Sequence, residues 1–206
     1  FGNGVDHTGG IRVINRDQII RNNYLEGLTG YRFGSGLTVM NGVPNSKINR
    51  YHQVDNALIE NNTLVNVEHI QFAAGSDKER SAAPINSNMN NNLIVNDQGT
   101  DGITAFDDIS GIKFKDNLLN AKPSINKGFE QADITMQRHD NGLLYPEAKT
   151  QQKYGVSTQL EPIGKDEVGV SWYPKVEPDV AFGSGKHIAV SPGDNTLFDA
   201  IASAET

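Results

Sequence analysis

The stretch ENNTLVN (residues 60–66) places two asparagines inside an otherwise strand-like run of apolar residues. Asparagine is unfavourable within strands and common in turns, so its position here needs a reason. Similar runs occur at IRNNYLEG (20–27), NNNLIVN (90–96) and FKDNLLN (114–120). When one asparagine of each run is aligned, an apolar residue stands three positions before it and another two positions after it. The aligned residues are Asn23, Asn62, Asn92 and Asn117.

A second set of short runs alternates with the first along the chain. Its members are GGIRVIN (9–15), SGLTVMN (35–41), EHIQFAA (68–74) and DGITAFD (101–107). Side chains alternate between the two faces of a strand. This alternation predicts one column of outward side chains between two columns of inward side chains. The outward column is Arg12, Thr38, Gln71 and Thr104. One inward column is Ile11, Leu37, Ile70 and Ile103, and the other is Val13, Val39, Phe72 and Ala105.

Strand-like units that recur every 20–40 residues or so indicate a solenoid. We therefore predict an all-β fold, a right-handed parallel β-helix in which each coil holds at least two short strands. Equivalent residues of successive coils would lie about 4.8 Å apart, so the aligned asparagines could hydrogen-bond amide to amide in a ladder. Asparagine also tolerates the left-handed backbone of a coil corner.

Composition narrows the range of partners. The net charge of −7 argues against nucleic acid as a ligand. The chain contains no cysteine, which excludes disulfides and cysteine-based metal sites. It has no apolar run long enough to span a bilayer, so we predict no membrane partner.

The repeat pattern divides the chain into three parts. Residues 1–136 carry the coils, interrupted by polar insertions at 41–56 and 73–88. Residues 137–190, rich in Pro, Gly, Lys and Glu, are predicted to form a closing segment and linker. Residues 191–206 are predicted to form a short amphipathic helix that begins a second β-helix domain.

The string NNYLEGLTGYRFGSGLTVMNGVPNSKINRYHQVDNALIENNTLVN resembles polysaccharide lyase family 6, which contains chondroitinase B and alginate lyases. The likeness covers roughly residues 1–136. It implies a right-handed parallel β-helix that cleaves uronate-containing polysaccharides by β-elimination, aided by Ca²⁺. In that reaction a cation or an arginine neutralises the carboxylate beside the C5 proton and stabilises the developing enolate.

The family's Ca²⁺-binding Asn and Glu residues, its catalytic Lys and its Arg-His-Gly motif are not found in this sequence. The resemblance therefore implies the C-terminal part of the catalytic domain of a two-domain alginate lyase, inactive by itself. The implied partners are an anionic polysaccharide, the N-terminal remainder of the same protein and, as an open alternative, a second copy of the chain. The implied location is the bacterial periplasm or the exterior. Within alginate, the resemblance favours cleavage of guluronate linkages. The alternative substrate is chondroitin or dermatan sulfate, and the alternative function is a non-catalytic carbohydrate-binding β-helix.

Arg12 is the candidate catalytic residue, because a guanidinium binds a carboxylate in a bidentate fork. The resemblance implies that an arginine in the GGIR position contacts substrate near the reacting sugar; the alternative is a surface arginine paired with a neighbour such as Asp6. Candidate substrate-binding residues combine aromatic, basic and amide side chains that suit an anionic sugar, and each could instead serve packing or solvation. They are Arg50, Tyr51, His52, Gln71, Lys78 and Arg80. Adjacent Asp6 and His7 point in opposite directions on a strand and are not expected to bind one metal, and His69 is expected to be a surface or packing residue.

Overall fold

The chain winds through three parallel sheets in turn. The computed structural model describes residues 1–31, 35–48, 50–140 and 142–150. The first sheet contains β1 (Ile11–Val13), β4 (Ser35–Met40), β7 (His69–Ala74) and β10 (Ile103–Ala105). The second contains β2 (Ile19–Arg21), β5 (Leu58–Glu60), β8 (Ser87–Asn90) and β11 (Ile112–Lys115). The third contains β3 (Tyr24–Leu28), β6 (Thr63–Val67), β9 (Leu93–Val95), β12 (Asn117–Leu119) and β13 (Phe129–Gln131).

From β1 to β12, consecutive strands along the chain belong to different sheets, and each strand pairs in parallel with its counterpart in the next coil. This arrangement is a parallel β-helix, as the sequence predicts. Each asparagine-containing run proves to be two strands rather than one, because the chain turns a corner between the second and third sheets. A coil of the described residues therefore holds three short strands.

The asparagines of the opening stretch have two separate functions. Asn61 lies at the corner with a φ of 55°, and Asn22, Asn91 and Asp116 occupy equivalent corners with φ between 52° and 55°. The next residue of each coil forms the ladder. Asn23 Nδ2 donates to Asn62 Oδ1 at 2.9 Å, Asn62 Nδ2 to Asn92 Oδ1 at 2.8 Å, and Asn92 Nδ2 to Asn117 Oδ1 at 2.8 Å. The predicted ladder is confirmed.

The core lies between the three sheets and follows the predicted inward columns. Val13, Val39 and Phe72 are buried, whereas Ala105 is exposed. Ala105 keeps the predicted register beside Phe72, but it is exposed because β10 is the edge strand of the first sheet and no further coil of the described residues covers it. Phe72 and Phe114 pack edge to face at 5.2 Å between ring centroids, and Phe114 packs on Phe129 at the same distance.

A hairpin crosses the outer face of the third sheet. It is formed by the antiparallel strands β14 (Met136–Arg138) and β15 (Leu144–Pro146). Residues 132–136 cover outward apolar side chains of the third sheet, Leu93, Val95 and Leu118. Arg138 then forms an ion pair with Glu26 of β3, and Tyr24 Oη donates to Glu26 Oε2 at 2.6 Å. The hairpin thereby joins the last coil to the first.

This contact shifts two pKa values. Burial alone would raise the pKa of Glu26, but hydrogen bonds from Arg138 and Tyr24 outweigh it and lower the pKa below its ordinary value. Burial and the hydrogen bond to Glu26 raise the pKa of Tyr24.

No helix among the described residues is long and apolar enough to cross a membrane. The predicted linker beyond residue 150 and the predicted helix at 191–206 lie outside the described residues.

Candidate functional site

The outer face of the first sheet carries a groove with a volume of about 370 Å³. The register places Arg12 beside Thr38, Thr38 beside Gln71, and Gln71 beside Thr104 on successive strands. The strand stacking that builds the core thus aligns one polar column across the coils. Arg12 and Gln71 both line the groove, as their common outward position predicts.

Arg12 is available to a ligand. Its side chain is exposed, and it forms no ion pair with any residue that the structure describes. Asp6, its suggested partner, instead accepts a hydrogen bond from the backbone N–H of Tyr31 at 2.8 Å. The guanidinium keeps its donors for an anion in the groove.

Gln71 is oriented by its neighbours. Its Oε1 accepts from Ser35 Oγ at 3.4 Å and from Thr38 Oγ1 at 3.3 Å. With the oxygen occupied, the amide NH₂ has no acceptor among the described residues and can donate to a sugar hydroxyl or carboxylate.

His69, predicted from the sequence to be a surface or packing residue, also lines the groove. It lies opposite Ser35 on β4, and its Nε2 is 3.6 Å from Glu68 Oε1. Position 69 precedes Gln71 by two residues on the same strand, so the alternation that places Gln71 outward also places His69 outward. That signal was present in the sequence.

The two insertions form a second depression of about 530 Å³, beyond the ends of β1 and β4. Arg50 and Tyr51 of the first insertion line it together with Glu79 of the second. The Cζ atom of Arg80 lies 5.5 Å from the centroid of the Tyr51 ring, which is within the range of a cation–π contact. Three predicted residues, Arg50, Tyr51 and Arg80, are thus brought together.

Arg80 is held by Asp77 in the second insertion. Nε and Nη2 of Arg80 donate to Asp77 Oδ2 at 3.1 and 2.5 Å. The Arg80 side chain, followed by backbone N–H groups of the same turn, lowers the pKa of Asp77 to about 2. The carboxylate therefore stays ionised at any pH at which the protein is expected to work.

His52 and Lys78 line neither of these cavities. The His52 Nδ1 atom lies 2.9 Å from the carbonyl oxygen of Gln53, which ties the ring to its own loop. Lys78 is exposed at the tip of the second insertion. Their substrate contacts stay predictions.

Among the residues that the structure describes, no group of three or more His, Asp or Glu side chains is placed to hold a metal ion.

Comparison with known proteins points to one family. A family model described as Chondroitinase B matches residues 2–157. No curated protein matches the chain. The structure of the PL6 family alginate lyase AlyGC is 98% identical in sequence over 99% of this chain, with a TM-score of 0.74. The structure of a mutant of AlyGC is 98% identical over 100% of this chain, with a TM-score of 0.73. A mannuronic acid specific family 6 lyase from human gut microbiota is 23% identical over 66% of the chain, with a TM-score of 0.53, and shows likeness of fold alone. The chain spans 28–29% of the length of the two AlyGC structures.

Proposed function

Because the chain belongs to the chondroitinase B family, we propose that it forms part of the substrate groove of a polysaccharide lyase that cleaves alginate by β-elimination. The observation that carries the proposal is the exposed Arg12, which forms no ion pair with another described residue and lies in one column with the oriented amide of Gln71. A cation beside a neutral donor suits a polymer that presents one carboxylate and several hydroxyls on each sugar.

The role of Arg12 follows from the chemistry of the reaction. A base removes the C5 proton, the electron pair forms the C4–C5 double bond, and the C4–O bond breaks as the departing oxygen takes up a proton. The charge that develops on the uronate carboxylate and C5 is stabilised by the Arg12 guanidinium. We assign the base, the acid and any Ca²⁺ ligands to other parts of the protein, because the family resemblance implies a lysine base and the described groove residues include no lysine.

Alginate is favoured over chondroitin or dermatan sulfate by the charge of the groove. Arg12 is the one permanently charged residue among the described residues that line the groove, and the charge of Arg80, near its Gly75 end, is balanced by Asp77. A sulfated polymer would require further cations to balance its sulfate groups. Guluronate linkages, Ca²⁺, an extracytoplasmic location and a second copy of the chain are proposed from the family resemblance alone.

The test uses the intact protein that contains this chain and measures ultraviolet absorbance of the unsaturated product. Alginate should give a rise, dermatan sulfate little, and a neutral polysaccharide none. Arg12→Ala should lower kcat/KM by roughly 10- to 100-fold, which corresponds to the loss of a charged hydrogen bond worth about 1.5–3 kcal/mol.

The matched control is Arg21→Ala. Arg21 is also exposed but lies on β2 of the second sheet, away from the groove. It should leave kcat/KM unchanged. Equal activity of Arg12→Ala and the parent protein would remove Arg12 from the site, and alginate binding without product would favour the non-catalytic carbohydrate-binding alternative.

A further inference from the structure

Resting on the proposed function, we propose that Arg80 forms a second carboxylate-binding subsite, at the Gly75 end of the groove, and that Asp77 is its positioning residue. The ligand is a uronate residue of the same polymer, several sugars away from the one at Arg12.

The Arg80 guanidinium lies close to Gly75, whose φ is +73°. A Cβ atom built at Gly75 would lie 2.9 Å from Met40 Cε and 3.4 Å from Arg80 Nη1. Gly75 and Met40 both line the groove, so Nη1 stands at its wall. On its other side, the same guanidinium covers the ring of Tyr51, which lines the second depression. Arg80 therefore lies between the two cavities.

The turn that carries Arg80 is closed on itself and attached to the core. Asp77 Oδ1 accepts from the backbone N–H groups of Glu79 and Arg80 at 2.9 and 2.7 Å. The carbonyl oxygen of Arg80 accepts from Nδ2 of Asn41 at 3.2 Å, and Asn41 is fully buried. The guanidinium thus projects from a fixed backbone, which reduces the entropy that a ligand must remove on binding.

One edge of the guanidinium stays open. A single oxygen of Asp77, Oδ2, accepts the hydrogen bonds from both Nε and Nη2 of Arg80. Nη1 hydrogen-bonds no atom of the residues that the structure describes. Since a guanidinium offers donors along two edges, the Nη1–Nη2 edge can still receive a second carboxylate in a bidentate fork. Asp77 reduces the net charge of the subsite while fixing the direction of this edge.

The subsite is too distant from Arg12 to share one sugar. Gly75 lies four residues beyond Gln71, and Gln71 lies two coils from Arg12. With about 3.3 Å per strand residue and about 4.8 Å per coil, the backbone separation is roughly 15 Å. Occupation of both sites therefore requires an oligomer, and the benefit of Arg80 should increase with chain length.

The test is steady-state kinetics of the intact protein on alginate oligomers of increasing length. Asp77→Asn keeps an oxygen for the two backbone N–H groups but removes the charge that holds Arg80. It should raise KM for long oligomers by roughly fivefold, leave kcat unchanged and leave KM for the shortest cleaved oligomer unchanged. Arg80→Met, which can still cover Tyr51, should do the same, and the double variant should be no worse than either single variant. Added salt should reduce the difference between parent and variants.

Asp116→Asn is the matched control. It makes the same chemical change at an exposed corner of the coil, where asparagine is the usual residue, and should alter neither KM nor its dependence on length. Normal length dependence in both Asp77→Asn and Arg80→Met, in a parent protein that cleaves alginate, would overturn the subsite and leave the proposed function intact. A parent protein that neither binds nor cleaves alginate would overturn both.

Discussion

The asparagine ladder gives the sharpest prediction about stability, and Asn92 is its best test. The residue is 1% exposed. Its Oδ1 accepts from the backbone N–H and the Nδ2 of Asn62 at 3.0 and 2.8 Å. Its Nδ2 donates to Asn117 Oδ1 at 2.8 Å and to the carbonyl oxygen of Ile59 at 3.1 Å. Asn92→Ala removes all of these bonds at once.

The cost can be estimated from the groups left behind. The N–H of Asn62, in a residue that is 3% exposed, loses its acceptor. A buried donor without a partner costs about 1–3 kcal/mol. The lost amide–amide bonds to the ladder residues above and below add about 1 kcal/mol each, so the total is roughly 3–5 kcal/mol.

The measurement is hydrogen exchange of the intact protein, read in peptides that cover residues 58–66. A loss of about 3 kcal/mol should reduce the protection of these amides by roughly two orders of magnitude. Asn88→Ala is the control, because Asn88 lies in the same coil on β8 and its side chain makes no hydrogen bond among the described residues. It should cost less than about 0.5 kcal/mol. Equal protection in the two variants would refute the ladder as a stabilising element.

Two further predictions concern the groove wall and the hairpin. Gly75→Ala places a side chain at a φ of +73°, 3.4 Å from Nη1 of Arg80. We therefore expect the free energy of unfolding to fall by about 1 kcal/mol in a melting experiment, and long alginate oligomers to bind more weakly. An unchanged melting temperature would contradict the expected backbone strain. The Glu26–Arg138 contact should hold the hairpin above pH 4.5, the ordinary pKa of Glu26, and release it as the pH falls through the lowered folded value. The protection factors of residues 136–140, which are corrected for the intrinsic exchange rate at each pH, should therefore fall in acid in the parent protein. Arg138→Ala should already show the lower protection at neutral pH. Equal protection in the two proteins at neutral pH would exclude the ion pair as the contact that holds the hairpin.

Part of the site could be read from the sequence because strand alternation is a local rule. Arg12 and Gln71 occupy equivalent positions of two runs, so stacking of the runs necessarily placed them in one column. His69 obeys the same rule and lies in the same groove. The insertions follow no repeat, and for them local rules predict no contacts: the stacking of Arg80 on Tyr51 depends on two loops from different coils.

The sequence by itself determined the repeating part of this protein. Its asparagines and apolar residues recur in phase with the coils, and a backbone that pairs strand upon strand converts that phase into the ladder and the core. Only the tertiary structure decided which side chains from unrelated segments meet. Glu26 and Arg138 are 112 residues apart and share no pattern, and Asp77 could be seen to orient Arg80 only once the turn had closed. The physical reason is that regular hydrogen bonding follows local sequence, whereas contacts between irregular segments are selected by the shape of the surface on which they fold.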